Sequence, residues 1–277
     1  SGAEVARVQP MKLAAMEALY DGEAGAPLTV FALLRPEAER TSNETSRRLR
    51  IEIPKLLSLM SYRDVEAYVA GINDLIRGNP EQGILSAEEK IARGREAIGA
   101  LARYRTAREA GDRQGMAAVE RLFDPATPEG AEFLSEKFAW FGYGYIDDPA
   151  RLVPNVPLLF YSFRIMVGAG LFFILLLGVV WRLNSKERLA DKRWLLRLCI
   201  LAVPLAYIAS QAGWVVAEAG RQPWAIQNLL PVGVAVTKIG ASSVAVTFFL
   251  FLALFTALLA AEVSILCRQI KIGPEKE

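Results

Sequence analysis

The sequence predicts an all-α protein: part of a membrane helical bundle, with three transmembrane helices, preceded by a mostly helical extramembrane domain. Three observations predict it. The hydrophobic excess, 53% of 277 residues, is concentrated after residue 150. That half contains three apolar runs near the length a helix needs to cross a bilayer core, about 20 residues. The first half instead shows amphipathic spacings, turn clusters and a helix-capping signature. The expected division is therefore 1–150 for the extramembrane domain and 151–277 for the membrane domain, with spans near 153–181, 194–217 and 239–266.

Composition removes several function classes. A net charge of +2, from 32 basic and 30 acidic residues, gives no clustered basic face of the kind nucleic acid requires. There is no histidine, hence none of the commonest metal and haem ligand or general base. Cys199 and Cys267 both lie in apolar runs and describe no disulfide framework. The opening SGAEVARVQP lacks an initiator methionine and the pattern of a signal peptide. The expectation is a piece of a longer polypeptide, or a chain that works beside a partner carrying what it lacks.

In chain order, QPMKLAAMEALY (9–20) places Leu13, Ala14, Met16 and Leu19 at helical spacings after a proline. On that helix Lys12 and Glu17 read most simply as two solvated charges. Residues 21–27 form a turn cluster, and LTVFALL (28–34) fits strand or helix equally. Arg47, Arg48 and Arg50 precede IEIPKLLSLM, where Pro54 starts or kinks a helix. A further helix is expected from Arg63 to Ile76. Ser86 with Glu89 makes a capping box for a helix striped by Ile91, Ile98, Leu101 and Tyr104. Its Lys90, Arg93, Arg95 and Arg103 read as a solvated face. FAWFGYGY (138–145) suits either a bilayer interface or a buried aromatic cluster.

The first span has Pro154 and Pro157 at its start, where proline is tolerated, and one charge, Arg164. An arginine this deep requires protein or a charged ligand beside it. Met166, about 13 Å beyond Pro157 at 1.5 Å per residue, is either packing or a thioether ligand to haem iron. A haem propionate would also give Arg164 its carboxylate. The second span contains Pro204 as an expected kink and ends at Glu218. Glu218 has Arg221 three residues on, either as an ion pair at the lipid headgroups or as a functional acid with its partner. The third span runs between Lys238 and Glu262; Glu262 reads as a snorkelling terminus. Arg182, Lys186, Arg188, Lys192 and Arg193 fill the first link, and Arg268 and Lys271 follow the last span. Basic short loops stay in the cytoplasm, which places the C-terminus there and residues 1–150 in the periplasm or outside. Three helices enclose little, so partner helices are expected.

Taken together, QPMKLAAMEALY, YSFRIMVGAG and GWVVAEAGRQPW resemble the C-terminal half of subunit I of the cytochrome bd-type quinol oxidases. The resemblance implies a periplasmic quinol-binding loop followed by the last three helices of that subunit, in a bacterial inner membrane. It implies that Lys12 and Glu17 take part in quinol oxidation. It implies that Met166 ligates a low-spin haem b and that Arg164 stabilises haem charge. Glu218 matches an axial ligand in the paired site of a high-spin haem b and a haem d. Trp214 matches a tryptophan between haems, and Arg221 an arginine near propionates. The family's histidine ligands lie in its N-terminal half, so the implied partners are that half, subunit II, membrane lipid, quinol and dioxygen. The competing expectation is a membrane-anchored interaction module without enzymatic activity, in which Arg164 takes a protein carboxylate, for instance on another subunit.

Overall fold

The computed structural model describes residues 2–237 and 239–273. The described residues through Ala235 form one compact unit, and those from Val236 a second. In the first unit, α1 (Gly2–Val8) and α2 (Pro10–Glu17) open the chain. Pro10 in the first turn of α2 needs no amide partner there, and Ala18 closes the helix in the left-handed region (φ 49°). The ambiguous run 28–34 is a strand. β2 (Leu28–Leu34) pairs antiparallel with β3 (Arg47–Ile53), Leu28 opposite Ile53 and Leu34 opposite Arg47. α3 (Leu56–Tyr62) begins just after Pro54, as that proline requires.

The helix expected from Arg63 to Ile76 is not formed as one element. Arg63 ends α3 in the left-handed region (φ 62°), and β4 (Tyr68–Val69) pairs with β1 (Glu23–Ala24). Only α4 (Ile72–Arg77) is helical. The competing force is visible at Asp74, whose carboxylate accepts from the Gly71 and Gly22 amides and the Tyr68 hydroxyl at 2.8–3.0 Å. These bonds hold the segment as a turn across the chain from 22 rather than as a free helix.

Ser86 and Glu89 cap α5 (Ala87–Ala110) reciprocally, as the sequence indicated. Its buried face carries Ile91 of the expected stripe together with the small residues Ala87, Gly94, Ala97 and Ala100, and Lys90. Lys90 therefore does not belong to a solvated face; it is 7% exposed. α6 (Arg113–Leu122) and α7 (Pro128–Glu136) follow, and the 3-10 segment Phe138–Tyr145 packs on α5. Phe123, Phe133 and Phe138 meet edge to face at 5.3–5.5 Å, so this stretch is an aromatic core contact.

A 3-10 turn (Pro149–Leu152) leads into α8 (Val156–Asn184), capped by the Asn155 side chain on the Leu158 amide at 3.1 Å. α9 (Arg193–Ala219), with Pro204 inside, returns antiparallel against α8. A short hairpin of β5 (Trp224–Ile226) and β6 (Leu230–Pro231) ends this unit. The second unit is one helix, α10 (Ala241–Ile272). All three long helices are long and apolar enough to span a membrane, and the described chain is mostly helical.

The largest core cluster joins α2, α3 and α4 to the start of α8 through Leu13, Ala14, Leu19, Leu57, Leu159 and Phe160. Leu159 and Phe160 are fully buried, each contributing about 1.5–3 kcal/mol relative to exposure. This packing fixes α2 against the beginning of the first span.

Candidate functional site

α2 is the element that gathers the site. Its C-terminal end reaches α8, where Glu17 accepts from Arg164 at 2.9 Å. Glu17 is 2% exposed and the Arg164 side chain 12%, so Glu17 is not the solvated charge its position on a surface helix suggested. Arg164 also donates to the carbonyls of Met16 (2.7 Å), Phe160 (3.1 Å) and Thr29 (2.7 Å), and its guanidinium lies over the Phe160 ring at 3.4 Å. The carboxylate that an intramembrane arginine requires is thus supplied within the chain. All four terminal N–H groups are engaged; the remaining donor, Nε, is buried without a partner among the described residues.

The network continues outward. Arg47 donates to the Thr29 hydroxyl at 2.6 Å and to Glu52 at 2.9 Å. Thr29, Arg47 and Glu52 were not singled out from the sequence. The signal available was RRLRIEI, where charged and apolar residues alternate as a strand does and one arginine turns inward.

Burial is the largest influence on Glu17 and raises its pKa from 4.5 to about 7, against the opposing pull of Arg164. Arg47 is lowered, chiefly by burial, with Glu52 opposing. These groups are therefore held near their limits of solvation by the same fold that brings them together.

The N-terminal end of α2 reaches α9. The Lys12 ammonium lies 3.5 Å from the Ala217 carbonyl oxygen, beside Glu218 and Arg221. Burial lowers the Lys12 pKa first, the Arg221 charge adds to that, and Glu218 opposes it. Glu218 and Arg221 form an ion pair whose side chains are about two-fifths exposed. Trp214 is one turn earlier on the same face of α9 and is 63% exposed.

Met166 is half-buried between the spans. A Cβ added at Gly213 would stand 3.1 Å from its sulfur, so the thioether lies in the notch this glycine leaves. Arg164 and Met166, two residues apart, are about 200° apart around the helix. Arg164 faces α2 and β2, while Met166 faces α9, so the two have separate protein surroundings. Among the described residues no group of three or more His, Cys, Asp or Glu side chains could hold a metal ion. Were a haem bound, Met166 and Glu218 would each offer it one donor atom, its other ligand coming from elsewhere. Met166 is positioned by the Gly213 notch, and Glu218 lies on a face left open beside Trp214.

The seven residues singled out from the sequence thus lie on three elements and the turn after α9. Glu17 is in contact with Arg164, Lys12 stands beside Glu218 and Arg221, and Met166 lies against the turn of α9 that carries Trp214.

Comparison with known proteins agrees with the family resemblance. The chain is 30% identical over 285 aligned positions to the cytochrome bd-II ubiquinol oxidase subunit 1 of Escherichia coli (strain K12), covering 99% of this chain and 51% of that protein. It is 28% identical to the cytochrome bd ubiquinol oxidase subunit 1 of Bacillus subtilis (strain 168), covering 97% of this chain and 43% of that one. The chain spans about half the length of these relatives. A solved structure of bd oxidase from Geobacillus thermodenitrificans shares the fold, with a TM-score of 0.55 and 24% identity over 99% of this chain and 44% of that one. Residues 1–274 match the family model described as cytochrome bd terminal oxidase subunit I, and the chain belongs to that family.

Proposed function

We propose that this chain is the quinol-oxidising and haem-holding C-terminal part of a terminal respiratory oxidase, in which quinol is oxidised at the outer membrane face and dioxygen is reduced to water. The observation that carries the reading is the position of α2, which joins Glu17 to Arg164 on one span and brings Lys12 to the end of the next. Residues 1–150 lie in the periplasm or outside, the C-terminus lies in the cytoplasm, and the membrane is the bacterial inner membrane.

The chemistry is assigned to this chain's residues as follows. Glu17, raised to about 7, accepts a quinol proton at neutral pH, because its proton affinity matches the medium. Lys12, lowered by burial, donates a hydrogen bond to a quinone oxygen. Met166 would hold a low-spin haem b through its thioether, and Arg164, bonded to Glu17, would add positive charge to that region of the span. Glu218 would hold a haem of the paired high-spin haem b and haem d, Arg221 would offer a cation to haem carboxylates, and Trp214 would serve electron transfer between the haems. When bound, the haems carry electrons from quinol to dioxygen. Releasing quinol protons outside while taking protons for water from the cytoplasm builds a proton gradient without pumping. The histidine ligands come from the N-terminal half of subunit I, and subunit II and lipid complete the assembly.

Co-purification with the native partners, followed by a reduced-minus-oxidised spectrum and quinol-dependent oxygen uptake, tests this. Haem bands with oxygen uptake support the reading. A complex containing this chain but neither haem nor oxygen uptake contradicts it and favours the interaction module.

A further inference from the structure

A second site lies away from the residues discussed so far. A cavity of about 140 Å³ is enclosed by the α1–α2 junction, α5, the 138–145 segment and the β5–β6 turn. Lys90 lines it. This lysine is 7% exposed, yet among the described residues it has neither an ion pair nor a hydrogen bond; its ammonium lies 5.2 Å from the centre of the Trp140 ring. The adjacent carboxylate, Glu89, is occupied in the capping box with Ser86. The stem of Lys90 is covered while its ammonium borders the cavity with no protein acceptor among the described residues, so a ligand entering there would meet a free cation.

The lining gives that ligand its chemistry. It contains Lys90 and, at its rim, Arg7, which is exposed and paired with Glu4 at 2.8 Å, and no Asp or Glu. Trp140, Tyr143 and Trp224 present rings, Tyr143 and Trp224 with centroids 4.9 Å apart. The volume is close to the roughly 150 Å³ of a cavity known to accept benzene. A strongly hydrated inorganic anion would gain little from aromatic walls, whereas a planar acid uses both features.

We propose that this cavity binds a small aromatic carboxylate, its ring among Trp140, Tyr143 and Trp224 and its carboxylate on the Lys90 ammonium. Burial lowers Lys90 to about 8, which leaves it mostly protonated at neutral pH and available as the cation. The proposal does not depend on the oxidase reading.

The test uses the detergent-purified complex containing this chain, titrated calorimetrically with benzoate, benzamide and inorganic phosphate. Benzoate should bind saturably. Benzamide to the parent, and benzoate to Lys90→Met, should each bind roughly tenfold to a hundredfold more weakly, the loss of one charge-assisted hydrogen bond. In the unmutated complex, benzoate should slow acylation of Lys90 by a small amine-reactive reagent, read by peptide mass spectrometry, and phosphate should not. This second arm decides the matter if the variant fails to assemble. Equal affinity of Lys90→Met for benzoate, equal binding of benzamide, equal protection by phosphate, or no protection by benzoate overturns the proposal.

Discussion

Glu17 and Arg164 form a buried ion pair, and its energetics are asymmetric. The intact pair is a modest source of stability, because both charges have left water. Removing one partner strands the other. Arg164→Leu should therefore destabilise the protein by about 3–5 kcal/mol, measured by denaturant unfolding in detergent. The double variant Glu17→Gln/Arg164→Leu should lose less than the sum of the single losses. Additive losses would show that the pair is not coupled. The raised pKa of Glu17 has a signed consequence. The folded state holds its proton up to about pH 7, and the unfolded state only to about 4.5. Between those values the folded form binds more protons, so this group's contribution to stability is greatest on the acid side and declines as pH rises through the window. Thermal midpoints of the parent should fall from pH 5 toward 7 more steeply than those of Glu17→Gln. Parallel profiles would remove the assignment.

At the scale of elements, α2 acts as a cross-brace between the two packed spans, and α5 as the platform for the aromatic segment. The second contact depends on glycine. A Cβ at Gly94 would overlap the Trp140 carbonyl and the Gly144 amide, both backbone atoms that cannot turn aside. Gly94→Ala should cost about 1–3 kcal/mol through overpacking, read as a lowered unfolding midpoint; an unchanged midpoint would mean the 138–145 segment does not press on α5 as described. The same contact shows what a one-dimensional pattern conveys and what it omits. The capping box at Ser86, the proline starts of α2 and α8, and the three long apolar helices were legible because each is a local signal. The stripe of large residues on α5 marked the buried face, but Lys90 within it was read as solvated and the closest approach is made by Ala and Gly, which carry no periodic hydrophobic signal. The helix expected over 63–76 gave way to hydrogen bonds from Asp74 to residues around 22, a pairing that no local window contains.

For the whole molecule, the sequence motifs named candidate residues but not their connections. KLAAME, SFRIM and GWVVAEAGR were legible as candidates. That Glu17 would bond Arg164, that Lys12 would stand beside Glu218, and that Thr29 and Arg47 would extend the network all depend on the packing of α2 across the two spans. The chain covers about half the length of its relatives, and the proposed donors are single: one thioether and one carboxylate on different helices. Its function is therefore read as shared with partners that supply the opposing ligands. The central claim is that Met166, held over Gly213, is a haem ligand and not packing alone. The most direct measurement is the reduced-minus-oxidised spectrum of the assembled complex carrying Met166→Leu. Loss of the low-spin haem signature, with the other haem bands retained, is the expected result; a spectrum identical to that of the parent complex would contradict it.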